Sequence, residues 1–69
     1  MRKQNRIVKA INASAGRFFG LTTKQGEILN AQFVRQTPNY VIVRDRNAGE
    51  QRKFAKTSLA GFSLGATRI

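Results

Sequence analysis

The 69-residue chain carries thirteen Lys and Arg residues against three acidic residues, which gives a formal net charge of +10 at neutral pH. A chain of this length forms one small domain, which buries only about 60% of the surface of its unfolded state. The absence of Cys excludes disulfides and thiolate metal ligands as reinforcement. Excess positive charge attracts polyanions and repels other copies of the protein, so DNA, RNA and anionic membranes are the candidate partners.

The first predicted element is a short amphipathic helix over residues 4–15. Its apolar residues recur at near-helical spacing, and basic residues occupy the opposite stripe. These apolar residues are Ile7, Val8, Ile11 and Ala15. Gly16 follows, at the position where a left-handed glycine commonly ends a helix.

Residues 17–60 are typical of an antiparallel sheet, because runs of β-branched and aromatic residues are separated at short intervals by turn residues. The predicted strands are 17–23, 27–36, 40–46 and 50–57. A short C-terminal tail follows, in which a last short strand and a 3₁₀ turn are both compatible with the sequence. The chain is therefore predicted to be mainly β: a short N-terminal helix followed by a four- to five-stranded, strongly bent antiparallel sheet, all in a single domain over residues 1–69.

Alternation of side chains along the strands assigns their faces. In the first two strands, the side chains predicted to face the core are those of Phe19, Leu21, Leu29, Ala31 and Phe33. One register of the last hairpin sets Arg44 opposite Arg52, an unfavourable pair of like charges. The predicted register instead places Asp45 opposite Arg52. It also places Val43 opposite Phe54, and it turns Val41, Val43 and Phe54 towards the core.

The aromatic residues admit two roles. A chain this short needs most of its rings in the core, and the rings assigned there are Phe19, Phe33 and Phe54. The sequence leaves open the faces of Phe18, Tyr40 and Phe62. Small barrels bind single strands by stacking bases on exposed rings beside cations. If two of these undecided rings are exposed beside the arginines of the last hairpin, single-stranded nucleic acid becomes the favoured ligand.

Two stretches of the sequence resemble a known family. Residues 16–27 read Gly-Arg-Phe-Phe-Gly-Leu-Thr-Thr-Lys-Gln-Gly-Glu, and Tyr-Val-Ile-Val-Arg-Asp at 40–45 is followed by Arg-Lys-Phe at 52–54. This pattern resembles the small bacteriophage-encoded proteins with an SH3-like β-barrel fold, over residues 12–60. The resemblance implies an SH3-like barrel and a phage origin, but no common activity. The chain departs from the family in its short connection at 37–39 and in having Glu27-Ile28 where the family usually has an Arg.

The sequence contains few of the residues that catalytic sites and metal sites usually require. The chain has no His and no Cys, which removes the usual general bases, nucleophiles and zinc ligands. Its glycines form neither a Walker loop nor a dinucleotide fingerprint. Asp45 and Glu50 form either a carboxylate pair for a hard metal or two acids that neutralise neighbouring arginines, and we favour the second interpretation. We expect no enzymatic activity, no catalytic or metal site and no cofactor.

Basic residues cluster at the amino end and in the last hairpin. The candidate nucleic-acid-binding residues are Arg2, Lys3, Arg6, Lys9, Arg44, Arg46, Arg52, Lys53 and Lys56. Arg suits bidentate contacts with phosphate, which position a protein without conveying sequence. We therefore expect contacts mainly with the phosphate backbone of DNA or RNA, with weak sequence preference. The helix offers two candidates for base reading, Asn5 and Asn12.

The principal hypothesis is thus a non-catalytic nucleic-acid-binding protein of the cytoplasm, since no apolar signal core follows the first basic residues and no span crosses a bilayer. For a phage-encoded chain this is the host cytoplasm. The alternative is an interaction protein that binds an acidic surface of a host enzyme and inhibits or redirects it. A membrane partner is not expected, because the helix lacks apolar residues that insert into an interface. A homodimer stays open, with strand 17–23 as a candidate edge and the Ile/Val face of the helix as a candidate exposed surface.

Overall fold

The computed structural model describes the backbone from residue 3 to residue 69 and the side chains from residue 5 onward. The elements in chain order are α1 (Lys3–Ala13), β1 (Phe18–Thr23), β2 (Ile28–Gln36), β3 (Tyr40–Asp45), β4 (Gln51–Ala55), a 3₁₀ helix (Lys56–Ser58), β5 (Leu59–Leu64) and β6 (Thr67–Arg68). All six strands form one antiparallel sheet in the order β4-β3-β2-β1-β5-β6, which is not closed into a barrel. The prediction of a mainly β fold with one short N-terminal helix is confirmed.

The predicted count of four to five strands is wrong. The tail contributes the two additional strands, because β5 returns to pair with β1 and β6 pairs with β5. The 3₁₀ helix lies before the tail and replaces the end of the predicted strand 50–57. Gly65 then adopts φ 58°, a left-handed conformation that glycine tolerates, and this turn brings β6 back against β5. The helix also ends two residues earlier than predicted, so Ala15 lies outside it and is exposed.

Both features that suggested a homodimer are absent from the described residues. β1 was a candidate edge strand, but it lies inside the sheet between β2 and β5. The helix does not expose its apolar face either, since Ile7 and Ile11 are completely buried and Val8 is partly buried. The two edge strands of the sheet are β4, next to β3, and β6, next to β5.

The core lies between α1 and one face of the sheet, which we call the inner face. Its buried members include Ile7, Ile11, Phe19, Leu21, Leu29, Ala31, Val41, Val43, Phe54, Leu59 and Phe62. Phe62, whose position the sequence left open, belongs to this core and its ring centroid lies 5.1 Å from that of Phe19. Phe33 is only half-buried, because a β-bulge between Phe33 and Arg35 interrupts the alternation of β2.

The predicted register of the β3–β4 hairpin is also wrong. Val41 lies opposite Phe54 and Val43 opposite Arg52, two residues away from the predicted pairing. A shift by two preserves side-chain parity, so the predicted inward orientation of Val41, Val43 and Phe54 is nevertheless correct. The turn explains the shift, because the Asp45 carboxylate accepts hydrogen bonds from the backbone N–H groups of residues 47 and 48, at 2.9 and 3.3 Å. This Asx-type turn fixes the loop length and with it the register.

Candidate nucleic-acid interface

The side of β1–β4 that faces away from α1 carries a set of cations and exposed rings. Strand register defines this surface, because directly opposed residues on neighbouring strands share a face. One row across the strands consists of Phe18, Gln32, Arg44 and Gln51. A second row consists of Arg35, Ile42 and Lys53. We call this surface the outer face and define it by Phe18, Arg35, Tyr40, Arg44, Arg46 and Lys53.

Two of the three rings left open by the sequence lie on the outer face. Phe18 is 38% exposed and Tyr40 is 39% exposed, each next to a buried residue that faces inward. The guanidinium carbon of Arg46 lies 5.4 Å from the centroid of the Phe18 ring. The Lys53 ammonium nitrogen lies 4.7 Å from the centroid of the Tyr40 ring. Each exposed ring therefore has a cation over its π face, in the geometry of a cation–π pair.

The outer face is strongly positive because its cations are not neutralised by ion pairs among the described residues. Asp45 is buried at the next position along β3 from exposed Arg44, so the two side chains have opposite orientations. Arg44, Arg46, Lys53 and Arg35 are all exposed, and within the described part of the chain none of them takes part in an ion pair. Four uncompensated cations on one face of a small domain produce a local positive potential suited to a polyanion.

Arg52 belongs to a separate cluster and not to the outer face. Its guanidinium donates two hydrogen bonds to the Glu27 carboxylate, one of them at 3.0 Å, and a weaker one of 3.5 Å to Asp45. The same guanidinium lies 4.8 Å from the centroid of the Phe54 ring. The predicted contact between Asp45 and Arg52 thus exists, but as a diagonal contact. Glu27, the main partner of Arg52, is one that sequence reasoning missed.

The cluster shifts the titration of all three of its members. The hydrogen bonds from Arg52 lower the pKa of Glu27 below its usual value. The backbone N–H of Ala48 lowers the pKa of Asp45, and the hydrogen bonds from Asn47 and Arg52 add to this effect. The bond to Glu27 raises the pKa of Arg52. Arg52 is therefore held as a structural cation, and its guanidinium is already occupied by carboxylates.

The described members of the two predicted basic clusters do not share a face. α1 packs on the inner face through Ile7 and Ile11, so exposed Arg6 and Lys9 lie on the side of the domain away from the outer face. They flank a groove that Ala10, Ala13 and Ile69 also line. Of the remaining candidates, Arg2 and the side chain of Lys3 lie outside the described residues, and Lys56 is half-buried in the 3₁₀ helix.

The two candidate base-reading residues, Asn5 and Asn12, differ in their surroundings. Asn5 is exposed. Asn12 is engaged at both ends of its amide, since its nitrogen donates to the carbonyl oxygen of Val8 at 2.9 Å and its oxygen accepts from the Gln36 amide at 3.1 Å. Asn12 therefore ties α1 to β2 and is not a free reader of bases.

Arg35 is a member of the outer face that the sequence analysis did not select. Simple alternation from Phe33 would place Arg35 on the inner face, but the bulge inserts Val34 between the two register positions. Arg35 consequently lies opposite Ile42 and points to the outer face. In the sequence, the signal for this was that alternation placed an Arg side chain towards the core. A charged residue is unfavourable there, and a bulge that redirects the side chain resolves the conflict.

The described residues contain no cluster of three or more His, Cys, Asp or Glu side chains arranged to hold a metal ion. From residue 3 onward, no helix has the length and apolar character needed to cross a membrane. Comparison of the chain with protein-family models, with curated proteins and with solved structures finds no match.

Proposed function

We propose that this protein binds single-stranded nucleic acid on the outer face. Bases stack on Phe18 and Tyr40, and the cations of the outer face contact phosphates. The observation that carries the proposal is the pairing of each exposed ring with a cation, on a surface whose four cations form no ion pair within the described part of the chain. A positive surface alone attracts any polyanion, whereas positive charge combined with exposed rings is typical of proteins that bind single strands.

Energetics favours exchange of the cation for a base. An exposed cation–π pair contributes about 0.5–1 kcal/mol. Stacking of a base on an aromatic side chain contributes about 1–3 kcal/mol. A base therefore displaces the Arg46 guanidinium from Phe18, or the Lys53 ammonium from Tyr40. The displaced cation is then available to a phosphate of the same nucleotide. Each ring–cation pair can therefore bind the base and the phosphate of one nucleotide.

A single strand is favoured over a duplex because stacking on an aromatic side chain requires an exposed face of a base. In a duplex the π faces of the bases are stacked on each other, so Phe18 and Tyr40 gain nothing from it unless base pairs open. Every base has a π face, and phosphate contacts carry no sequence information, so we expect weak sequence preference. DNA and RNA both offer the bases and phosphates that these contacts need.

We propose that this antiparallel sheet, which is not closed, is a variant of the SH3-like barrel of the small bacteriophage proteins that the sequence resembles. A protein of that origin would meet its nucleic acid in the host cytoplasm.

The direct test compares fluorescence anisotropy of labelled oligothymidylate and oligouridylate of about twelve nucleotides with that of a duplex of equal length. We expect the single strands to bind more tightly than the duplex. Phe18→Ala and Tyr40→Ala should each weaken single-strand binding about 5- to 150-fold, the range that corresponds to one lost stacking contact. Ile28→Ala is the matched control, because Ile28 lies on the same face of β2, is 77% exposed and has no ring.

Equal affinity for duplex and single strand, unchanged by loss of either ring, would contradict the proposal. The alternative partner, an acidic surface of a host enzyme, draws on the same side chains, because exposed Tyr and Arg are frequent in binding hot spots. A pull-down from cell lysate with and without nuclease separates the two. A protein partner retained after nuclease treatment, together with no affinity for oligonucleotides, would favour the host enzyme.

A further inference from the structure

The outer face also indicates how a strand would lie and how long it must be. We infer that one single strand of about four to six nucleotides crosses the sheet diagonally from Phe18 on β1 to Tyr40 on β3, with its central phosphate at Arg35 on β2. This inference rests on the proposed function, because it specifies the ligand of the same surface. It derives from the strand register and from the bulge in β2.

Register gives the positions of the two rings relative to each other. Phe18 lies opposite Gln32, which lies opposite Arg44, so Phe18 and the Arg44 position are two strands apart in one row. Tyr40 lies four residues from Arg44 along β3. With standard spacings these steps amount to about 10 Å across the strands and about 13 Å along them. The backbone positions of the two ring-bearing residues are therefore separated by about 16 Å along a diagonal.

This separation selects a ligand length. A strand that keeps its bases stacked advances about 3.4 Å per nucleotide and covers 16 Å in about five steps. An extended backbone covers the same distance in roughly half as many steps. A ligand that reaches both rings thus has about four to six nucleotides, whereas a dinucleotide reaches only one ring.

The bulge places a cation at the midpoint of this path. Arg35 is one strand from Phe18 and one strand from Tyr40, and it lies opposite Ile42, halfway between the rows of the two rings. Bulges commonly redirect a side chain at a functional site. Here the bulge turns an exposed, unpaired Arg towards the line that joins the rings, and buried Ile42 provides an apolar floor beside it.

The first experiment measures dissociation constants for oligothymidylates of two to about twelve nucleotides. We expect affinity to rise steeply until the strand reaches about four to six nucleotides, and then only by the statistical factor of additional registers. In Phe18→Ala or Tyr40→Ala this steep rise should disappear. Arg35→Gln should weaken the hexamer and leave the dinucleotide nearly unchanged, and Lys24→Gln, which neutralises an exposed cation of the β1–β2 turn, is the charge-matched control.

The second experiment uses a hexamer in which selected bases are removed while all phosphates stay. Two abasic sites in the middle should have little effect, because no ring lies there, and one abasic site at each end should reduce affinity at least tenfold. An equal loss for central and terminal abasic sites, or affinity that grows smoothly with length in the wild type and in both ring variants, would overturn the diagonal path. Failure of every oligonucleotide to bind would instead refute the proposed function itself.

Discussion

Neutralising Arg44 and Lys53 together tests whether the outer face, and not the overall charge, contacts phosphate. Both side chains are exposed and free of ion pairs among the described residues, so Arg44→Gln with Lys53→Gln removes two cations without disturbing a salt bridge. Arg6→Gln with Lys9→Gln removes the same charge from the opposite side of the domain. The two double variants have equal net charge and differ only in where the charge was lost.

The magnitude follows from counterion release. For a single strand, log K falls against log salt with a slope of about −0.7 per phosphate contact. Four outer-face cations therefore give about −2.8, and two give about −1.4. Between about 50 and 200 mM salt, the wild type should lose about 50-fold in affinity and the outer-face variant only about 7-fold.

The assay is a salt series of fluorescence anisotropy with labelled oligothymidylate, and far-ultraviolet circular dichroism checks that each variant is folded. The helix variant should keep a slope close to that of the wild type. If both double variants lower the slope equally, the strand responds to the field of the whole protein and the outer face is not its site. If neither changes the slope, phosphate contacts are not made by these side chains.

Three further predictions concern the remaining structure. Ile11→Ala should lower the free energy of unfolding by about 2–5 kcal/mol, measured by urea denaturation, because Ile11 is completely buried between α1 and the sheet; a smaller loss would mean that the helix is not part of the core. In the folded protein the pKa values of Glu27 and Asp45 lie below their ordinary values of 4.5 and 3.8. The stability that their contacts contribute is therefore fully present above the ordinary pKa values and is lost as the pH falls through the lowered pKa values of the folded state. Urea denaturation in acid that shows no such loss of stability would contradict these shifts. Arg52→Gln should destabilise the fold, weaken this acid dependence and leave the salt slope of binding unchanged, and a slope reduced as far as for Arg44→Gln would place Arg52 in the site.

Much of the architecture was predictable because it depends on local alternation. The strand bounds agree with the predicted ones to within two residues, apart from the tail, and the inward parity of Phe19, Leu21, Leu29 and Ala31 is confirmed by their burial. Alternation is a property of neighbouring residues, so a short stretch of sequence contains it. The helical spacing of Ile7 and Ile11 identified the apolar side of α1 for the same reason, whereas the burial of that side depends on its packing against the sheet.

The hairpin register and the position of β1 were not predictable in this way. Like-charge avoidance between Arg44 and Arg52 favoured a register that the Asp45 turn does not allow. Cross-strand charge pairs contribute only about 0.2–1 kcal/mol, so a turn with several backbone hydrogen bonds outweighs them. β1 became an interior strand because β5, far along the chain, pairs with its free edge.

The sequence by itself determined the positive charge, the mainly β class and which residues alternate towards a core. Only the tertiary structure decided which cations share a surface. It separated Arg6 and Lys9 from the hairpin cations, brought Glu27 to Arg52 across 25 residues of sequence, and moved Arg35 to the outer face through the bulge. These outcomes depend on strand pairing between distant segments, and such pairing reflects the packing of the whole domain and not the preference of any one segment.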